Sequence, residues 1–446
     1  MFREYKTFAQ ILLICISLTG LCTSNTVAAP AGLQVALNLS VEDVINRIKK
    51  QNLELLISKE SVQRALEQSY QSRAALLPKF SLRAQQTRQQ LARGFTSEEF
   101  DAPPFNSFGS RVEASLSVFD TQRYADFRLA KLNHAIQQID YEVATQDILE
   151  QAITLYFTHL RDLRGVEISQ GNLQREQALL DLAEQQFEAG SAMKIDVKRA
   201  EVRVAKQRRE LMEFEIDVQD SSLMIKALLD IDLDRAIQLD PFIIEGINAP
   251  PTIMKYSSQE VLTELRPELQ SQEKALDQAE LTKKAAKWQR LPTVELFANW
   301  GYDSSQALDG EEGEAWLIGL RARLPIWEGG RIASERREAA LALRQNEYRM
   351  RNLRNQVNRQ FKFALVEMDS LYSQITIAGE EMRLGHDEVE LAKERYREGL
   401  GDNLELIDAQ QRLSDAERSH LRAIYLYGLS RLAFARSIGS VEYVLD

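Results

Sequence analysis

Two cysteines occur in the 446 residues, Cys15 and Cys22, and both lie near the start of the chain. The remaining four hundred residues hold no disulfide and depend on packing alone. Proline is nearly as scarce. Its ten copies stand at 30, 78, 103, 104, 241, 250, 251, 267, 292 and 325, so residues 105–240 and 326–446 contain none. The four histidines, at 134, 159, 386 and 420, are scattered and make no HExxH pair. No GxSxG and no phosphate-binding glycine loop occurs either, so the usual signatures of hydrolytic, metal-dependent and nucleotide-dependent catalysis are missing. Basic charge is not in excess: the formal charge is −11 and the pI about 5.2, against the clustered Lys and Arg of a nucleic-acid binder.

Only one long apolar run exists, ILLICISLTGL at 11–21, and it is too short to span a bilayer comfortably. Arg3 and Lys6 precede it and the small residues of TVAAPAG follow, the layout of a secretory signal peptide covering residues 1–31. Cleavage after Ala28 and after Ala31 both satisfy the small-residue rule. Lipidation at Cys22 is not expected, because Leu21 stands where a lipoprotein signal needs Gly or Ala.

What remains is built twice. QNLELLISKE (51–60) matches RPELQSQEKA (265–274), and LLPKFSL (76–82) matches RLPTVEL (290–296), with Pro78 over Pro292. LSVFD (116–120) then matches LPIWE (324–328), and FEAGSAMKIDVKRAE (187–201) matches YREGLGDNLELIDAQ (396–410), with Gly190 over Gly399. Shared order of prolines, glycines and aromatics marks an internal duplication. The repeats are expected at 32–230 and 259–446, each reading helix, strand, strand, helix, with a linker or equatorial segment at 231–258.

Strands are expected at about 79–93, 107–119, 293–302 and 314–326. In each, apolar and polar residues alternate: Phe80, Leu82 and Ala84 against Ser81, Arg83 and Gln85; Val112, Ala114, Leu116 and Val118 against Arg111, Glu113 and Ser115. Val294, Leu296, Ala298, Trp300 and Tyr302 oppose Glu295, Phe297 and Asn299, and Trp316, Ile318, Leu320, Ala322, Leu324 and Ile326 oppose Gly319, Arg321 and Arg323. One apolar and one charged face over about ten residues is the pattern of a transmembrane barrel strand. A half-buried soluble sheet reads the same way. The aromatics at strand ends (Phe108, Phe119, Trp300, Tyr302, Trp316, Trp327) and the export signal favour the membrane. Four strands cannot close a barrel, so several copies must pool them; three copies would supply twelve.

The proline-free tracts read as helices from Asp120 to about Glu188 and from Glu328 to about Glu398. Such helices extend on the order of 100 Å, beyond any bilayer, and need lateral partners. Heptad spacing supplies them: Leu132, Ile136, Ile139 and Val143; Val197, Val204 and Leu211; Leu406 and Leu413; Ala409, Ala416 and Ala423. The chain turns back at Gly190 and at Gly399 with Gly401.

This duplicated plan, LPIWEGGR opening a long helix, and the segment YREGLGDNLELIDAQ with Gly399, Leu404, Asp408, Ala409 and Gln410 resemble the TolC family of outer-membrane efflux channels. The resemblance covers essentially all of the chain after its leader. It implies a mainly α fold with a small transmembrane β part, in which a homotrimer builds one 12-stranded β-barrel in outer-membrane lipid and an α-helical coiled-coil barrel in the periplasm. Implied partners are a periplasmic adaptor protein and an inner-membrane pump of the RND or ABC type. No cofactor, metal or nucleic acid is expected.

Carried over residue by residue, Glu405 and Asp408 fall on the family's constriction pair, where three chains bring six carboxylates around the pore axis. Such a ring would favour cations. Tyr396 and Asp196 fall on positions that hold the tip closed. Gly401 stands where a basic residue is expected, which leaves the closing network weaker or built around Arg199 or Arg397. The rival reading is a non-channel structural or adhesive coiled-coil protein.

Overall fold

A computed structural model describes residues 36–90, 104–190, 192–241, 266–305, 313–398, Leu400 and 403–444. The signal segment, the tips of both strand loops, residues 242–265, Gly399 and Gly401 lie outside the described residues. In chain order the elements are β1 (Leu37–Leu39), α1 (Val41–Gln51), α2 (Leu53–Ala74), β2 (Lys79–Gln89), β3 (Phe105–Phe119), α3 (Thr121–Glu188) and α4 (Lys194–Leu228). There follow β4 (Ile237–Leu239), α5 (Pro267–Trp288), β5 (Thr293–Ser304), β6 (Gly313–Arg323), α6 (Arg331–Arg397), α7 (Asn403–Ile438) and a final 3-10 turn (Val441–Val444).

Helices start where the sequence supplies a cap. Ser40 and Asp43 cap one another's backbone N–H at α1. The Asp120 carboxylate accepts from the N–H groups of Gln122 and Arg123 at α3. At α6 no side chain caps; Gly329 and Gly330 turn the chain with φ of +60° and +87°, a region that other residues enter only with strain. The two copies therefore make the same strand-to-helix corner by different means.

The helices pack side by side. The long helix α3 has α2 and then α4 along one side and α5 and then α7 along the other, and α6 runs along the far side of both α5 and α7. Two equivalent joints stack the shorter helices end to end. Asn52, the N-cap of α2, donates from Nδ2 to the carbonyl of Leu228 at the end of α4 (2.9 Å). Arg266, the N-cap of α5, donates from Nη1 to the carbonyl of Arg436 near the end of α7 (2.9 Å). Arg266 is buried and pairs with the half-buried Glu268, and Arg436 reaches Glu268 and Asp147, so this second joint also binds α5 and α7 to α3.

Around the first joint lies the main apolar core. β1 pairs in parallel with β4, and Val44, Ile45 and Ile48 of α1 pack there with Leu149, Ile153 and Tyr156 of α3 and Leu432 of α7. Tyr156 donates its hydroxyl to the carbonyl of Asp240 (2.6 Å), which fixes the strand pair to α3. Burial, and then the charge of Asp240, push its pKa up. The pattern reading missed both three-residue strands, the second of which, β4, lies within residues 231–258.

The four longer strands form one antiparallel sheet in the order β2-β3-β5-β6. Register places Leu82, Val112, Trp300 and Trp316 side by side, and Phe80, Ala114, Ala298 and Ile318 in the next row. This apolar face is open: Phe80 and Leu82 are each 74% exposed and Trp316 71%. A soluble sheet covers such a face; no described residue covers this one. The other face carries cross-strand ion pairs, Arg83 with Glu113 (3.3 Å), Arg111 with Asp303 (2.5 Å) and Arg321 with Glu295 (3.6 Å), and Arg321 also stacks on Phe297.

One strand end falls well short of the expected one. The last strand ends at Arg323, not 326, because Arg323 pairs with Thr293 and the next residue on β5's side is Pro292, which has no N–H to continue the ladder. Leu324 to Glu328 continue without strand pairing, which is why the alternation misled. The first strand is described from Lys79 to Gln89, and residues 91–93 of the expected strand lie outside the described residues.

Candidate functional site

The helical hairpins end together, far from the sheet. In the second, Leu406, Ala409 and Leu413 of α7 are buried against Val389, Ala392 and Tyr396 of α6, with Leu179 of α3 completing the cluster. At 100° per residue this buried stripe turns Glu405, Asp408 and Arg412 onto one exposed face of α7. The structure thus brings the two sequence-predicted acids together.

A base lies near each acid, though among the described residues only Glu405 is paired. Arg395, near the end of α6, places Nε 3.1 Å from Glu405 Oε1 and reaches the carbonyl of Leu400 with Nη2. One turn beyond Asp408, Arg412 grips Glu388 of α6 with two bonds of 3.1 and 2.5 Å. The Arg412 fork holds the Glu388 carboxyl below the usual range.

The first hairpin turns at Gly190, whose φ is +76°. Asp196 accepts from the N–H of Met193 at 3.1 Å and so closes the first turn of α4, and Arg199 lies 3.6 Å from it. Tyr396 is buried and donates its hydroxyl to Gln186 of α3. Burial first, and the nearby charge of Asp196 second, raise its pKa, with Arg203 opposing. Tyr396 and Asp196 are therefore neighbours, while Arg199 pairs with Asp196 and makes no described bond to the phenol. Arg397 is exposed.

Sequence reasoning missed Gln186, Arg395, Arg412 and Glu388. Gln186 lies more than two hundred residues from Tyr396, and nothing in either segment signals their meeting. Arg395 and Glu405 straddle a turn whose geometry spacing does not fix. Arg412 had a signal: it lies four residues after Asp408, within reach on the same helix face.

The chain belongs to the outer membrane efflux protein family, whose profile matches residues 44–230 and 259–440. It is 25% identical over 352 residues to the pyoverdine export outer membrane protein OpmQ of Pseudomonas aeruginosa, covering 77% of this chain and 73% of that protein. It is 22% identical over 453 residues to the Escherichia coli outer membrane protein TolC, covering 97% and 86%. Its fold matches that of the Campylobacter jejuni CmeC outer membrane channel with a TM-score of 0.81 at 19% identity, over 90% of this chain and 85% of that one. This is a protein of the outer membrane, of the TolC family of efflux channels, and its relatives are channel proteins rather than enzymes.

Proposed function

We propose that three copies of this chain close into one channel that serves as the exit duct of a tripartite efflux or type I secretion system. The observation that carries the reading is that the chain is unpartnered on both flanks, and in matching ways. β2 and β6 are the outer strands of an open four-stranded sheet. On the helical layer the outer members are α2 and α4 on one flank and α6 on the other, and α4 and α6 expose apolar residues at heptad spacing. Ile195, Val202, Ile216 and Leu223 line α4; Ile377, Leu384 and Leu391, and nearer the sheet Leu341 and Tyr348, line α6.

Such seams want a helix partner, and a head-to-tail contact repeated around a closed ring supplies it to every copy. Twelve strands then present their apolar face to lipid and their ion-paired face to a lumen. The helices continue the duct into the periplasm, where a periplasmic adaptor and an inner-membrane pump of the RND or ABC type would meet the tip.

In this reading residues 32–230 and 259–446 are the two repeats that feed the ring. Glu405 and Asp408 face the axis as the periplasmic constriction. Tyr396, Asp196 and Arg199 hold the tip closed around the turns at Gly190, Gly399 and Gly401. The test is the mass of the protein extracted from outer membranes in mild detergent, by light scattering corrected for bound detergent. A mass of three chains is expected. A monomer after gentle extraction would overturn the shared channel.

A further inference from the structure

The exposed face of α7 at the tip carries alternating charge rather than acid alone. Glu405 meets Arg395 at 3.1 Å, Arg412 meets Glu388 through a two-bond fork, and Asp408 lies between the two pairs. Among the described residues Asp408 has no ion-pair partner within 4.0 Å, although its charge acts on Arg412. Glu405 and Asp408 taken alone would give six negative charges in a trimer. With Glu388, Arg395 and Arg412 counted, these five residues set three acids against two bases in each chain, and together they carry half that charge in a trimer.

We propose that Arg395 and Arg412 are selectivity-determining residues of the constriction, built-in counter-charges that leave Asp408 as the one of the three acids Glu388, Glu405 and Asp408 without an ion-pair partner among the described residues. The inference rests on the reading that Glu405 and Asp408 face the axis of a trimeric pore. Guanidinium groups suit the task because they stay charged at any pH the protein meets. The pairs need not be strong: Arg395 and Glu405 are both about half exposed, and exposed pairs add little stability. What matters is location. A fixed positive charge within a Debye length, about 8–10 Å at moderate salt, offsets the field of the acid whether or not the bond is momentarily made. A constriction so compensated discriminates weakly between cations and anions, whereas a bare ring of six carboxylates would strongly exclude anions.

Purified channels in planar bilayers under a potassium chloride gradient test this through the reversal potential, with the trimer mass of every variant measured first. Arg395→Gln and Arg412→Gln should each raise the potassium-to-chloride permeability ratio severalfold, and their combination more. Arg395→Lys, which keeps the charge, should return the wild-type ratio. Asp408→Asn should lower it towards a non-selective pore. If Asp408→Asn lowers the ratio while neither arginine variant raises it, the counter-charge proposal fails and the constriction stands. If Asp408→Asn and the Glu405→Ala/Asp408→Ala pair both leave the ratio unchanged, the constriction is elsewhere and the proposal falls with it.

Discussion

His159, on the buried side of α3, is 4% exposed and shares a 2.9 Å hydrogen bond between Nδ1 and the Ser221 hydroxyl of α4. Burial lowers its pKa, and the charge of Asp162 only partly opposes this. In the unfolded chain the imidazole titrates near 6.5. Between that value and the lowered folded one, the unfolded chain binds more protons than the folded chain, so stability rises with pH there. The contribution of His159 is neutral above the unfolded pKa and turns against folding as the pH falls towards the folded value. His159→Gln should flatten this part of the profile. Thermal melts of wild type and variant in mild detergent, taken between about pH 5 and pH 8, should diverge on the acid side only. Parallel profiles would show that His159 does not titrate in this range. The same scale explains Tyr396: its phenol is buried beside Gln186 because Ala392, Leu406 and Ala409 close around it.

At the scale of elements, the duplication preserves lengths and joints while local chemistry diverges. Helices α2 and α5 both have 22 residues and begin 214 residues apart, and their N-caps, Asn52 and Arg266, bond the end of the last helix of their own repeat, α4 and α7, in the same way. The corners into α3 and α6 differ, and this makes a testable contrast. Asp120→Ala removes a side-chain cap and should cost about 1 kcal/mol, whereas Asp120→Asn should be nearly silent. Gly330→Ala removes no hydrogen bond yet forces a Cβ into the left-handed region, at a cost of about 1–2 kcal/mol. Nothing lies within 4 Å of the position such a Cβ would take, so the cost there is conformational and not steric. Melting midpoints in one detergent check both; a silent Gly330→Ala would mean that the corner relaxes out of the left-handed region.

For the whole molecule, the flanks matter most. Val202 and Ile216 on α4 are both about two-thirds exposed in the single chain, although they repeat at the same heptad spacing as the buried seams. If the α6 flank of a neighbouring copy covers them, Val202→Glu with Ile216→Glu should convert the extracted trimer to smaller species while helix content is retained. An unchanged mass would mean that this seam is not the contact between copies. The buried seam of the same helix, Ala200, Val204 and Gln207, serves the α3–α4 hairpin within one chain. Heptad spacing alone did not separate the two.

That division runs through the protein. Helix length followed from composition: with no proline over 105–240, nothing interrupts α3, and the run from Thr121 to Glu188 lies as expected. Strand faces followed from alternation, since a pleated strand must turn Phe80 and Leu82 one way and Ser81 and Arg83 the other. Pro78 and Pro292 marked where the first strand of each pair begins. Contacts between distant segments did not follow. β1 and β4 are three residues each, about two hundred residues apart, too short to leave a pattern. Arg395 meets Glu405 only because a turn between two helices brings them together, and Gln186 meets Tyr396 only because the hairpins lie side by side. Periodicity is local and is written in the chain. Which charge stands beside which depends on packing between segments, and that was decided only by the tertiary structure.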